Sequence, residues 1–157
     1  MTAHAAVDDS EFIIAAMSEI LIPVSPGELL DKITILRIKS TRMTDPAKLD
    51  NVRTELALLE AAWRDSVPVS QSDAEDAAAL GRVNEKLWDI EDRLRDKEST
   101  GSFDGDFIEL ARAVYRCNDE RAALKRRINL RLGSRIVEEK SYRPYGAPGS
   151  DPSPSGT

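Results

Sequence analysis

The chain has 157 residues, 41% of them apolar and 32% charged, with a formal net charge of −6. That size and composition suit one soluble, helix-rich domain with a real core, and the acidic balance argues against general nucleic-acid binding. Cys117, the one cysteine, excludes an internal disulfide and a thiolate zinc cluster, and the one histidine, His4, falls in an N-terminus that reads as poorly structured, which argues against Ser-His or Cys-His nucleophilic machinery.

In chain order, residues 1–10 read as a disordered acidic segment without the positive start of a signal peptide, so the expected setting is cytoplasmic. Phe12–Met17 suits a short helix or strand, and Glu19–Val24 an edge strand or extended arm. Both apolar runs are too short to span a bilayer. Ser25, Pro26 and Glu28 then make a helix start: a serine that can accept from the third helical N–H, a glutamate that can reach back, and a proline where a missing N–H costs nothing. Over Ser25–Met43, Leu29, Ile33, Leu36, Ser40 and Met43 share one side, while Ile35 and Ile38 share the other. A helix apolar on two faces is surrounded by partners, which predicts a central helix.

Asp45-Pro46 opens a second helix, with Leu49, Val52, Leu56, Leu59 and Trp63 alternating three and four apart. A loop over Ser66–Gln71 precedes a third helix, which Ser72 and Glu75 could begin as a second capping box. Its seam is Leu80, Val83, Leu87, Ile90 and Leu94. Matching seams and a short link predict that these two helices pair as an antiparallel hairpin. The fourth helix runs from Asp106 to Leu132, with Asp104 as N-cap and Gly133 just past its end. Ile136 and Val137 could add a short strand beside Glu19–Val24 or pack as an arm. The expected fold is all-α: a four-helix, mostly antiparallel bundle with short extended arms at both ends. It occupies residues 11–145 and is followed by a flexible Pro/Gly/Ser tail over 146–157.

Charge is unevenly spread. Residues 44–111 hold 17 acidic and 8 basic side chains, a net of −9, while residues 112–143 hold 10 basic and 4 acidic, a net of +6. Acidic and basic helices can neutralise each other inside one bundle, or leave a basic surface for an anionic partner. On the fourth helix the stripe Phe107, Leu110, Val114, Cys117, Leu124, Ile128 and Leu132 takes in Asn118, Arg121 and Lys125 when each residue advances about 100°. Charges facing inward need partners. The candidates are Asp31 on the second apolar face of the central helix, Glu91 and Asn84 beside the third seam, Glu60 beside the second, and Asp119 and Tyr115 one step off the stripe.

Two readings follow. In the first, Asp31 and Glu91 pair with Arg121 and Lys125 as a buried network that fixes helix register. In the second, the same residues form an anion pocket. Arg121 then grips a carboxylate or phosphate, Lys125 adds a point charge, and Asn118 or Tyr115 sets orientation. Were the pocket catalytic, Asp31 or Glu91 would be its general base. Glu91 and Asp92 lie about 100° apart on a helix, a poor chelating geometry, so no metal or other cofactor is expected. Arg127, Arg131 and Arg135 line an outer strip, without the interleaved aromatic residues that a nucleic-acid surface would use.

The segments Ile22–Ser40 (IPVSPGELLDKITILRIKS), Leu87–Glu98 (LWDIEDRLRDKE) and Phe107–Asn129 (FIELARAVYRCNDERAALKRRIN), followed by GSRIVEEKSY from Gly133, resemble an uncharacterised bacterial family, a domain of unknown function. The resemblance covers roughly residues 20–145. It implies a small bacterial α-helical domain whose relatives stand alone or near tetratricopeptide and glycosyltransferase modules of surface-polysaccharide pathways. It supplies no catalytic residues. The expectation from the residues is an interaction or scaffold protein without catalysis, docking on a second copy or on another helical protein. The alternatives are a phosphate- or carboxylate-binding protein or enzyme built on the inward charges, and a nucleic-acid accessory protein using the outer strip.

Overall fold

The computed structural model describes residues 20–68 and 70–141. The expectations for residues 1–10, Phe12–Met17 and 146–157 lie outside the described residues. Within them the chain forms four helices and no strand: α1 (Pro26–Arg42), α2 (Pro46–Ser66), α3 (Gln71–Ser99) and α4 (Gly105–Arg131).

Local chemistry sets the helix ends. The Ser25 hydroxyl accepts from the Glu28 N–H at 3.2 Å, Asp45 accepts from Ala47 and Lys48, and Asp104 accepts from Phe107. Each such cap contributes about 1 kcal/mol. The start of α3 differs from expectation. Ser70, not Ser72, is the N-cap, and its N–H donates to Asp73 at 3.0 Å. Two overlapping Ser-x-x-acid windows compete there, and the earlier one also turns Asp73 toward Arg131 of α4, 2.7 Å away. Gly133 ends α4 at φ +65°, a conformation that favours glycine. The next N–H, of Ser134, reaches back to the Asn129 carbonyl at 2.8 Å.

α1 packs against each of the other three helices, while the α2 backbone approaches α1 alone. The expected α2–α3 hairpin is therefore corrected to two hairpins, α1–α2 and α3–α4. A heptad seam requires that a face be covered but does not name the partner. The α3 seam (Val83, Leu87, Ile90) meets Leu110 and Cys117 of α4. The α2 seam turns toward α1, burying Val52, and only Trp63 near its end reaches the cluster of Leu30, Leu80 and Ile128. Glu60 of α2 pairs with Arg37 rather than with any charge of α4.

α1 and α3 run in the same direction, since Asp31 meets Asn84 and Arg42 meets Asp89 further along both helices. α4 runs against them: Gly27 meets Asn129, Glu28 meets Lys125, and Asp31 faces Arg121. The α1–α4 joint is tight at Gly27. A Cβ there would lie 2.5 Å from the Lys125 carbonyl oxygen and 2.9 Å from its Cα. The gap lets the Gly27 N–H donate to the Asn129 Oδ1 at 2.7 Å, so a side chain of α4 satisfies an N–H that helix α1 leaves without an internal partner.

Beyond Gly133, Ile136–Val137 form no strand, and of the two alternatives the arm is the one found. The chain returns along α4 as an irregular arm, held by Lys125 to Glu138 at 3.1 Å and by the Lys140 Nζ donating to the Asn118 carbonyl at 2.9 Å. A strand needs a neighbour to pair with. Residues 20–24 instead project into solvent, with Ile20 at 89% and Leu21 at 93% exposure.

Candidate functional site

The inward charges of α4 form two separate groups. At Arg121, three helices converge. Its Nη2 donates to Asn118 of the same helix at 2.7 Å, its Nη1 reaches Asn84 of α3 at 3.4 Å, and its Nε lies 4.0 Å from the Asp31 Oδ2 of α1. Asn84 is the hub. Its amide donates to the Asp31 Oδ1 at 2.7 Å and to the Thr34 hydroxyl at 2.9 Å, while its own oxygen faces Arg121. Asn84 is 4% exposed and Asp31 5%, so the pair sits in low-dielectric surroundings. Burial raises the Asp31 carboxyl pKa above its ordinary 3.8, and the Asn84 hydrogen bond and the Arg121 charge only partly oppose that.

Arg121 is not saturated. A guanidinium carries five N–H donors, and two hydrogen bonds to side chains engage it here. It opens onto a cleft of about 380 Å³ between α1 and α3. Ile35, Ile38, Leu87 and Trp88 supply the apolar wall, and Lys39 lies toward the far end. Lys39 makes no ion pair with any described residue. Asp31, Ile35 and Lys39 are four residues apart, so they lie along one line of α1, about 12 Å from end to end. At the rim, Arg95 holds Glu91 at 3.2 Å and Asp92 at 3.6 Å, so one cation is shared by two acids.

One turn away, Lys125 belongs to the second group. Its Nζ sits 2.6 Å from Glu28 and 3.1 Å from Glu138, and its side chain is 11% exposed. Burial works against the ammonium, but the hydrogen bonds it donates to both carboxylates outweigh that and raise its pKa above 10.5.

Of the six residues singled out in the sequence, Asp31, Asn118 and Arg121 come together. Glu91 lines the same cleft but bonds to Arg95, not to Arg121 or Lys125. Lys125 bonds to Glu28 and Glu138, not to Asp31 or Glu91. Tyr115 is half-buried on α4, with the Arg116 guanidinium 5.9 Å from its ring centre. A salt-bridge reading that pairs Glu91 with these cations is thus corrected: long rim side chains find the nearest charge on their own helix. The pattern missed Glu28 and Asn129. Asn129 continues the series Arg121, Lys125 at the same spacing of four, and that signal was present in the sequence.

On the outer strip, Arg127 pairs with Asp76 at 2.8 Å, and Arg131 with Asp73 and Asp76 at 2.7 and 2.9 Å. Acids of α3 thereby compensate part of the basic excess of α4. Burial disfavours the Asp73 anion, but hydrogen bonds from Arg131 and Ser70 outweigh it and hold its pKa below 3.8. Among the described residues no three His, Cys, Asp or Glu side chains gather as metal ligands, and no helix is long and apolar enough to cross a membrane.

No curated protein and no solved structure matches the chain. A family model does, over residues 20–157, a span that takes in all four helices, the arm and the cleft. The chain belongs to that family, which is described as a family of unknown function, DUF6165.

Proposed function

We propose that this chain is a binding protein for a small anionic molecule seated against Arg121. One observation carries the reading: a partly buried guanidinium with unused N–H donors faces a walled cleft, while the neighbouring Lys125 is held between two carboxylates. Fixed guanidinium forks suit carboxylates and phosphates, and the Asn84 and Asn118 contacts hold this one in place. The apolar wall at Trp88 favours a ligand with a flat or aliphatic body attached to its charge.

A second reading, docking on a helical partner or a second copy, is favoured by the exposed segment Ile20–Val24, whose apolar side chains find no cover among the described residues. The two are separated by a thermal-shift screen against carboxylated and phosphorylated small molecules, run on the wild type and on Arg121→Gln. The cleft reading expects stabilisation by a subset of anions in the wild type and its loss in the variant. Equal shifts in both proteins, or none in either, would remove it.

A further inference from the structure

The charges around Asp31 are already unbalanced before any ligand arrives. α4 presents Arg121 and Lys125 to it, and α1 presents Glu28 one turn earlier. The returning arm adds Glu138 through Lys125, and α3 contributes only the neutral Asn84. α2 meets the opposite side of α1, through Lys32 and Arg37. Three carboxylates, Asp31, Glu28 and Glu138, thus face two cations. An anion placed on Arg121 would stand beside a buried carboxylate that shares the same guanidinium at 4.0 Å. Two like charges at such range in a partly buried site strongly disfavour each other. The rim offers little relief, because Arg95 is occupied by Glu91 and Asp92 and leaves Lys39 as the one further cation of the cleft without an ion pair among the described residues.

We propose that the cleft takes up a monoanion together with one proton, the proton settling on Asp31. This rests on the cleft reading and deepens it. The proton comes from solvent and goes to Oδ2, the oxygen turned toward Arg121, while Oδ1 keeps its bond from Asn84. Neutral Asp31 gives up its claim on the guanidinium, whose Nε–H is then free for the incoming anion. Burial of Asp31 already favours its protonated form. The ligand class is a singly charged organic acid with a flat apolar body for the Trp88 wall, bound in effect as its neutral acid.

The probe is 2-naphthoate, ionised throughout the neutral range, titrated calorimetrically into the full chain in two buffers of different ionisation heat. About one proton is taken up per bound anion, and affinity falls about tenfold between about pH 7 and about pH 8. In Asp31→Asn the affinity is flat over that range and at pH 8 exceeds that of the wild type. The wild-type proton count stands without the variant should the variant not fold. Binding that Arg121→Gln abolishes, but that is independent of pH and takes up no proton, overturns this proposal and leaves the cleft reading intact. Absence of binding in both the wild type and a folded Asp31→Asn overturns both.

Discussion

One turn of α4 separates Arg121 from Lys125, and the two cations are bonded in contrasting ways. Lys125 lies between two carboxylates, beside the point where Gly27 lets α1 touch α4, and does not line the cleft. Arg121 is held by two amide oxygens, keeps donors in reserve and opens onto a walled cleft. An inward-facing charge is therefore not by itself a site. The Lys125 end closes the bundle, whereas the Arg121 end leaves hydrogen-bonding capacity facing space that a ligand can fill.

The largest effect should come from closing the Gly27 gap. Gly27→Ala drives a methyl into the Lys125 backbone, which cannot yield as a flexible side chain would. A loss of about 3 kcal/mol in urea unfolding is expected. A loss under about 1 kcal/mol would show that the two helices separate easily. Lys125→Met comes next. It leaves Glu138 and Glu28 facing each other without their shared cation, and Glu28 is half exposed, so screening limits the cost to about 2 kcal/mol. The anion-induced thermal shift should survive this change, since Lys125 lies outside the cleft.

The aspartates sharpen the contrast through the sign of their pH dependence. The Asp73 pKa is lowered on folding, so its stabilisation is present above the unfolded value of 3.8 and is lost as pH falls through the lower folded value. Asp73→Asn should cost about 1 kcal/mol at neutral pH through its cap and the Arg131 contact, and the difference from wild type should vanish in acid unfolding curves. The Asp31 pKa is raised, so its favourable contribution is present below 3.8 and is lost as pH rises through the folded value. Asp31→Asn should be as stable as the wild type or more so at neutral pH, and the advantage should fade toward low pH. If the two variants shifted stability in the same direction with pH, the distinction between the two sites would fail.

Much of this was legible in the residues because it is local chemistry. Ser25, Asp45, Asp104 and Gly133 mark helix ends through bonds made within a few residues, and the sequence shows them directly. The inward turn of Arg121 follows from counting around one helix. What the sequence could not resolve was which element meets which. The α2 and α3 seams look alike, yet one covers α1 and the other α4, because periodicity specifies a face and not its partner. For the same reason Glu91 looks in the sequence as good a partner as Asp31, and Glu28 reads only as a capping residue. Gly27 was hidden for a different reason: inside a strong helix start, a glycine gives no sign that another backbone approaches until both helices are in place.

The central claim is that the anion contacts Arg121 and not Lys125. Calorimetry of 2-naphthoate on the wild type, Arg121→Gln and Lys125→Gln, each confirmed folded by its thermal transition, tests it most directly. Loss of binding in Arg121→Gln, with affinity within about twofold of wild type in Lys125→Gln, is the predicted result. Undiminished binding in Arg121→Gln, or loss confined to Lys125→Gln, would contradict it.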